Sequence, residues 1–329
     1  MPAKYKKKGF ILPVVLLLGF ITYAVFSPIP VSMITRLCFT WDGSVAPDNY
    51  EDIKAQVEVF GDLVYTSEYE ENLADIYIPK NKEDGPAPVI LWVHGGGFVG
   101  GGKKDAEKYA TALASEGVAV ICIDYGRAPE AKHPVPLIQT DEAYLWLKSV
   151  AGEYNIDMDR LVLAGDSAGA HIAAQFAAIQ SNADYAEGLG FEQNVPLHTL
   201  KGTLLFCGPY DVAMLGDYDN FAVDFVLGQI AWAYLGEKNM VEQFAYELTI
   251  PNHITSDFPP TFITDGNFLS FEEHGMELAY ILGENGVLVE KYFIPREVKR
   301  ARHEYQFIMN TDIGKESFSK VVNFLKDQA

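Results

Sequence analysis

Arg160-Leu-Val-Leu-Ala-Gly-Asp-Ser-Ala-Gly-Ala-His-Ile-Ala-Ala-Gln-Phe-Ala-Ala-Ile179 runs from a short apolar stretch into an alanine-rich one through Gly165-Asp-Ser-Ala-Gly169. Residues 160–164 have the composition of a buried strand, and residues 168–179 read as a helix of small residues. The G-x-S-x-G pattern between them puts Ser167 on a sharp strand-to-helix turn. A serine raised on such a turn has a strained backbone, and the chain two residues to either side passes close to neighbouring backbone, which suits Gly165 and Gly169. His94-Gly-Gly-Gly-Phe98 follows a second strand-like run, residues 88–93. A glycine loop can turn its N–H groups toward a ligand, and donors aimed at a developing oxyanion contribute on the order of 10² to 10³ each in rate. Either stretch alone could be an ordinary glycine turn. The two in this order, each behind a strand, imply a nucleophile and the loop that stabilises its product.

Working outward, the pattern alternates. Residues 57–66 and 73–79 read as an edge hairpin. Strands at 89–93, 118–125, 161–164, 202–207, 261–264 and 287–294 then alternate with helices at 104–116, 137–154, 168–179, 271–284 and 315–326. This spacing implies an α/β fold with a mostly parallel sheet covered on both faces. Residues 211–256 depart from the rhythm, with an aromatic and aliphatic helix at 221–235. Placed above the carboxyl ends of the strands, where ligands bind in such sheets, they are a candidate cap; a plain helix pair packed on the domain is the alternative.

A serine hydroxyl needs a base within hydrogen-bond reach and a third group to orient that base. In the order Ser, acid, His, Asp265 directly follows the strand at 261–264 and His303 follows the next strand. Both belong at the sheet edge that carries Ser167. Asp211 and Asp257 are rival acids. His94 opens the glycine loop and is expected to support it, His171 to pack one turn after the nucleophile, and His133, His198, His253 and His274 to be surface or satisfied histidines. The basic run 296–302 reads as a solvated loop.

These motifs resemble the hormone-sensitive lipase family of α/β-hydrolase esterases. The likeness covers roughly residues 55–329 and rests on His94-Gly-Gly-Gly-Phe98, on Gly165-Asp-Ser-Ala-Gly169 continuing to His171, and on Asp124-Tyr-Gly-Arg-Ala-Pro-Glu130 leading through Pro134-Val-Pro136 to Asp141 and Trp146. It implies Ser167 as nucleophile, His303 as general base, Asp265 as orienting acid, and oxyanion-hole N–H groups from Gly96, Gly97 and Ala168, with no metal or organic cofactor. Two departures stand out. Asp265-Gly-Asn-Phe-Leu-Ser270 lacks the family's proline and second acid, and Tyr125-Gly-Arg-Ala-Pro129 replaces the usual Tyr-Arg-Leu-Ala-Pro.

The N-terminus differs in character. Lys4, Lys6, Lys7 and Lys8 precede a charge-free stretch, residues 9–35, long enough to reach across about 30 Å of hydrocarbon. The expectation is a transmembrane helix within residues 1–40, N-terminus cytoplasmic, with an exported catalytic domain at 41–329 that has further cap elements near 41–56. A cleaved signal peptide and a buried core helix are the alternatives, the first disfavoured by a poor cleavage site around Ala24-Val-Phe26. Pro13 lies near the start of the run, where its missing N–H costs little.

The 329 residues are 49% hydrophobic and 21% charged, a globular composition with room for a large core. The net charge is −20, and residues 1–40 hold five basic residues and no acid, so the remainder sets 20 Lys and Arg against 45 Asp and Glu. Such a surface repels nucleic acid. Three cysteines without framework spacing argue against disulfide stapling, and no Cys/His cluster has metal-ligand spacing. The expected function is a serine carboxylesterase acting through an acyl-enzyme on small-molecule or lipid-like esters, with short to medium acyl chains as the resemblance implies. Its rivals are a noncatalytic binding protein on the same fold and an acyltransferase or amidase using the same three residues.

Overall fold

The computed structural model describes residues 8–39, 43–81, 85–212, 220–238 and 240–328. The expected lysines at 4, 6 and 7 and parts of both expected cap regions, residues 41–42, 213–219 and 239, lie outside the described residues. The strands are β1 (Val57–Val64), β2 (Leu73–Pro79), β3 (Ala87–Val93), β4 (Ala119–Ile123), β5 (Ile156–Asp166), β6 (Leu200–Phe206), β7 (Thr261–Asp265) and β8 (Val289–Phe293). They form one sheet ordered β1-β2-β4-β3-β5-β6-β7-β8. Only β1–β2 and β2–β4 pair antiparallel; β4, β3 and β5 through β8 run parallel, as the alternation implied.

The helices are α1 (Lys8–Phe26), α2 (Ile29–Cys38), α3 (Tyr50–Lys54), α4 (Glu107–Ser115), α5 (Val135–Val150), α6 (Ala168–Ser181), α7 (Ala183–Leu189), α8 (Phe221–Leu235), α9 (Met240–Leu248), α10 (Glu272–Glu284) and α11 (Asp312–Gln328). Parallel strands need covering on both faces because both their side-chain rows are apolar. On one face Leu137, Leu147, Phe176 and Leu278 of α5, α6 and α10 bury against Leu91, Leu163 and Ile263. On the other, Tyr109, Leu113, Phe324 and Leu325 of α4 and α11 bury against Trp92, Phe206 and Phe262. Every residue of α6 is buried. Its small side chains let the helix lie close against the strands that carry the site.

The N-terminal expectation requires correction. Among the described residues no helix is long and apolar enough to cross a membrane. Helix α1 ends at Phe26, and Pro28 opens a second helix, α2, because proline favours the first turn and disfavours a helical residue before it. The charge-free stretch is thus two helices. Pro13 stands at the sixth position of α1, past the first turn, so its missing N–H does remove one helical hydrogen bond.

Helix α2 packs against α8, a cap contact that sequence placed in the anchor. Arg36 also anchors α2: Nε donates to the Val99 carbonyl at 2.6 Å, Nη2 to the Ala128 carbonyl at 2.7 Å, and the same guanidinium pairs with Glu130 at 2.6 Å. The ion pair is half-exposed and contributes little; the two bonds to backbone carbonyls are what tie α2 to the glycine loop.

Candidate active site

All the parallel strands point their carboxyl ends at one edge, and each functional segment begins where a strand stops. His94 follows β3, Ser167 follows β5, Cys207 follows β6, Asp265 ends β7, and His303 lies on the loop after β8. Ser167 sits at φ +50°, ψ −120° between β5 and α6, the left-handed strain expected of this turn. Gly169 is required here because a side chain would overlap the Val93 and His94 carbonyls.

Ser167 Oγ lies 3.0 Å from His303 Nε2, within the reach a general base needs. Asp265 is fully buried at the third corner, and Ser270 stands beside both, with its Oγ bonded to Asp265 and 2.6 Å from His303 Nδ1. The rival acids are elsewhere. Asp211 accepts a hydrogen bond from Thr249 at 2.7 Å, its amide donates to His274, and Asp257 is exposed.

The Asp265-Gly-Asn departure acquires a physical reason. Gly266 passes against the Arg302 carbonyl, where a Cβ would overlap it. Asn267 donates to the carbonyls of Ile294 and Lys299 at 2.7 and 2.8 Å and accepts from the Ala301 amide at 3.0 Å. Both residues hold the loop that presents His303. The basic run is exposed as expected, although Arg300 also covers the Phe268 ring at 3.2 Å.

The glycine loop is held from beneath by Asp166. Its carboxylate accepts from Trp92 Nε1 at 2.8 Å and from the Gly95 amide at 2.9 Å. Tyr125 donates to the His94 carbonyl at 2.9 Å, and the His94 ring stacks on Tyr125. Gly96 at φ +114° and Gly97 at φ +59° turn the chain across the Ser167 side; Gly97, Ser167 and Ala168 line one cavity. His171 packs edge-on to Phe98 and bonds the Pro209 carbonyl, so it is a support. His133 pairs with Glu247 at 2.6 Å, and His253 stacks on Tyr185.

Sequence reading missed three neighbours of the site. Ser270 and Cys207 come from loops after strands that no motif marks, and Glu304 is half-buried beside Asp166, where desolvation raises both carboxyls, Glu304 to about 7. Although no cysteine has metal-ligand spacing in the sequence, the fold brings the ligand atoms of Cys207, Asp265 and His303 within 4.8 Å of one another. Burial drives the Cys207 thiol well above its ordinary range, so it is a neutral thiol there.

The charge balance of the site sets its pH response. Burial pushes Asp265 up to about 6, against the charge of His303 and the Ser270 hydroxyl, which both lower it. Burial also holds the His303 imidazole below its ordinary 6.5, although Asp265 pulls it upward. A base works only when neutral and an orienting carboxylate only when ionised. Activity is therefore expected to be full above pH 7 and to fall as acid protonates the pair, with a midpoint in kcat/KM below 6.5 that belongs to both groups. A midpoint at or above 7 in the pH–rate profile would contradict this balance.

Sheet, serine turn, histidine, buried carboxyl and glycine loop together have the arrangement of the α/β-hydrolase fold. The chain belongs to the BD-FAE family, whose model matches residues 74–268, and it has the α/β-hydrolase fold that the motifs implied. It is 28% identical over 199 residues to "Probable isoprenylcysteine alpha-carbonyl methylesterase ICMEL1" of Arabidopsis thaliana, covering 59% of this chain and 41% of that protein. To "Probable carboxylic ester hydrolase LipM" of Mycobacterium tuberculosis it is 29% identical, covering 63% and 47%. The chain thus spans about half the length of these curated relatives. Among solved structures, esterase B of Lactobacillus rhamnosis superposes with a TM-score of 0.74 at 19% identity, covering 94% of this chain and 95% of that one. LipW of Mycobacterium marinum gives 0.68 at 22% identity, covering 90% and 89%. These two likenesses establish the fold.

Proposed function

We propose that the protein is a serine carboxylesterase for short acyl esters. Ser167 attacks the ester carbonyl while His303 takes its proton; N–H groups of Gly96, Gly97 and Ala168 receive the oxyanion; His303 returns the proton to the leaving alcohol, and water releases the acyl group by the same steps. The observation that carries this reading is the 3.0 Å contact between Ser167 Oγ and His303 Nε2 at the mouth of an apolar cavity. The relatives named for ester hydrolysis support it.

The cavity argues for short chains. It offers about 50 Å³ between Ser167, Phe98, His171 and the α8 residues Leu227, Ile230 and Tyr234. Phe98 and Tyr234 stack at 4.0 Å and narrow it. A dry cavity of about 150 Å³ holds benzene, so this one suits an acyl group of roughly two to four carbons. On p-nitrophenyl esters from acetyl to palmitoyl, kcat/KM is expected to peak between acetyl and butyryl and to drop about tenfold or more beyond hexanoyl, each excluded methylene forfeiting about 0.8 kcal/mol of burial. A palmitoyl optimum would overturn the short-chain reading; silence on every ester would overturn the esterase.

The N-terminal segment is read as a membrane attachment, with the catalytic domain outside the cytoplasm. What supports it is the lysine cluster before the uncharged residues 9–35 and the exposure of Leu12, Leu16, Tyr23 and Phe26 on α1. Protease protection of the full chain in vesicles tests it. A chain shortened for comparison should begin after Phe26, because α2 and Arg36 belong to the cap contact.

A further inference from the structure

We propose that Ser270 is a positioning residue of the reaction, its hydroxyl carrying the hold of Asp265 on the catalytic imidazole. The inference rests on the serine-esterase reading of the same site. Ser270 Oγ donates to Asp265 Oδ1 and stands 2.6 Å from His303 Nδ1. The second oxygen of Asp265 is buried and has no hydrogen-bond partner among the described residues. The two hydrogen bonds of the His303 ring run to serine hydroxyls, Ser270 on one side and Ser167 on the other.

Proton counting assigns the direction. A hydroxyl has one proton and two lone pairs. Ser270 gives its proton to the carboxylate, so it can only accept from His303, and Nδ1 must carry the hydrogen. Nε2 is then the lone-pair nitrogen, facing Ser167 as a base requires. In the reversed tautomer two donors would meet at Ser270, and Nε2–H would point at the nucleophile. When His303 takes the Ser167 proton, the new charge is balanced by Asp265 through a hydroxyl that both neighbours polarise.

The local chain is built to hold this hydroxyl. Leu269, the preceding residue, sits at φ +50°, a left-handed conformation costly for leucine. Phe268 bridges to Arg302 on the His303 loop, and the Phe271 ring meets the His303 ring edge-on at 5.6 Å. Ser270 is thereby pinned between two residues that contact the histidine segment. It also occupies the stretch where the second acid of the resembling family is missing.

The test compares Ser270→Ala, Ser270→Thr, Asp265→Asn and the double variant in the full chain, with kcat, KM and the acid limb of the pH profile as readouts. Ser270→Ala is expected to lower kcat about 10²-fold or more with KM changed less than about threefold, the range general-base positioning contributes. Its acid limb should move, because Nδ1 loses its acceptor. Ser270→Thr keeps a hydroxyl and should recover to within about tenfold of the native rate. Losses in the double variant should be far from multiplicative, since both changes cut one chain. Ser270→Ala with more than half the native kcat and an unmoved acid limb would overturn the proposal, leaving Asp265 to hold His303 directly. If the native enzyme hydrolyses no ester, the esterase reading fails on its own. The rate at which a fluorophosphonate labels Ser167 still reads the relay then, and should fall for Ser270→Ala and not for Ser270→Thr.

Discussion

Ser167→Ala is expected to lower kcat by about 10⁴- to 10⁶-fold on p-nitrophenyl acetate, to the residual level that binding and an oxyanion hole sustain without a nucleophile. The size follows from the site: the side chain removed forms the covalent bond, and among the described residues the Nε2 atom of His303 has Ser167 Oγ as its short-range partner. The fold should tolerate the change. The strained φ of +50° is set by the β5–α6 turn and is equally strained for alanine, so the thermal midpoint should stay within a few degrees. Retention of more than a few per cent of the native rate, with the native fold, would show that another group attacks the ester.

Gly96→Ala is expected to cost about 10²- to 10³-fold in kcat, with KM nearly unchanged. Gly96 lies at φ +114° and its missing side chain faces the Gly100 carbonyl, which a Cβ would overlap. Neither backbone nor carbonyl can give without turning the loop, and turning it moves the N–H groups of Gly96 and Gly97 off the developing oxyanion. Losing such a donor costs about 2.7–4 kcal/mol of transition-state stabilisation. The loss should fall on kcat because the oxyanion forms only after the substrate is bound. A Michaelis comparison on p-nitrophenyl butyrate distinguishes this from a binding defect, which would appear as a raised KM at constant kcat. Fluorophosphonate labelling should slow in parallel, because the phosphonyl oxygen uses the same donors.

Much of this architecture was legible in the chain because it depends on local chemistry. Strand periodicity and the spacing of helices gave the parallel sheet, and the strand-to-loop junctions located Ser167, Asp265 and His303 before any contact was known. What was not legible depends on which strand ends become neighbours. Cys207 follows β6 and Ser270 the loop after β7, in stretches with no motif; only the order of β6, β7 and the His303 loop brings Cys207 to the acid and His303 to Ser270. The Asp166–Glu304 pair is hidden for the same reason, one member before the nucleophile and one after the base. Helix α2 shows another limit. An apolar run reads alike whether it meets lipid or protein, and only Arg36, reaching the carbonyls of Val99 and Ala128, reveals that residues 29–38 belong to the cap. The Gly-Asn departure after Asp265 looked like a weakness in the acid assignment. It is instead the close approach and the side-chain staple that hold the His303 loop.

The cap geometry links this packing to specificity. The same helix, α8, meets α2 on one side and lines the acyl cavity with Leu227, Ile230 and Tyr234 on the other. Contacts outside the site thus set the width of the space the acyl group enters.

The central claim is that Ser167 carries the acyl group between the two halves of the reaction. The direct measurement is intact-mass analysis with peptide mapping after rapid acid quench of the enzyme turning over p-nitrophenyl butyrate. The account predicts a single butyryl group on the peptide that contains Ser167, absent in Ser167→Ala. Butyryl on a different residue, or steady hydrolysis with no acylated peptide at any quench time, would contradict it.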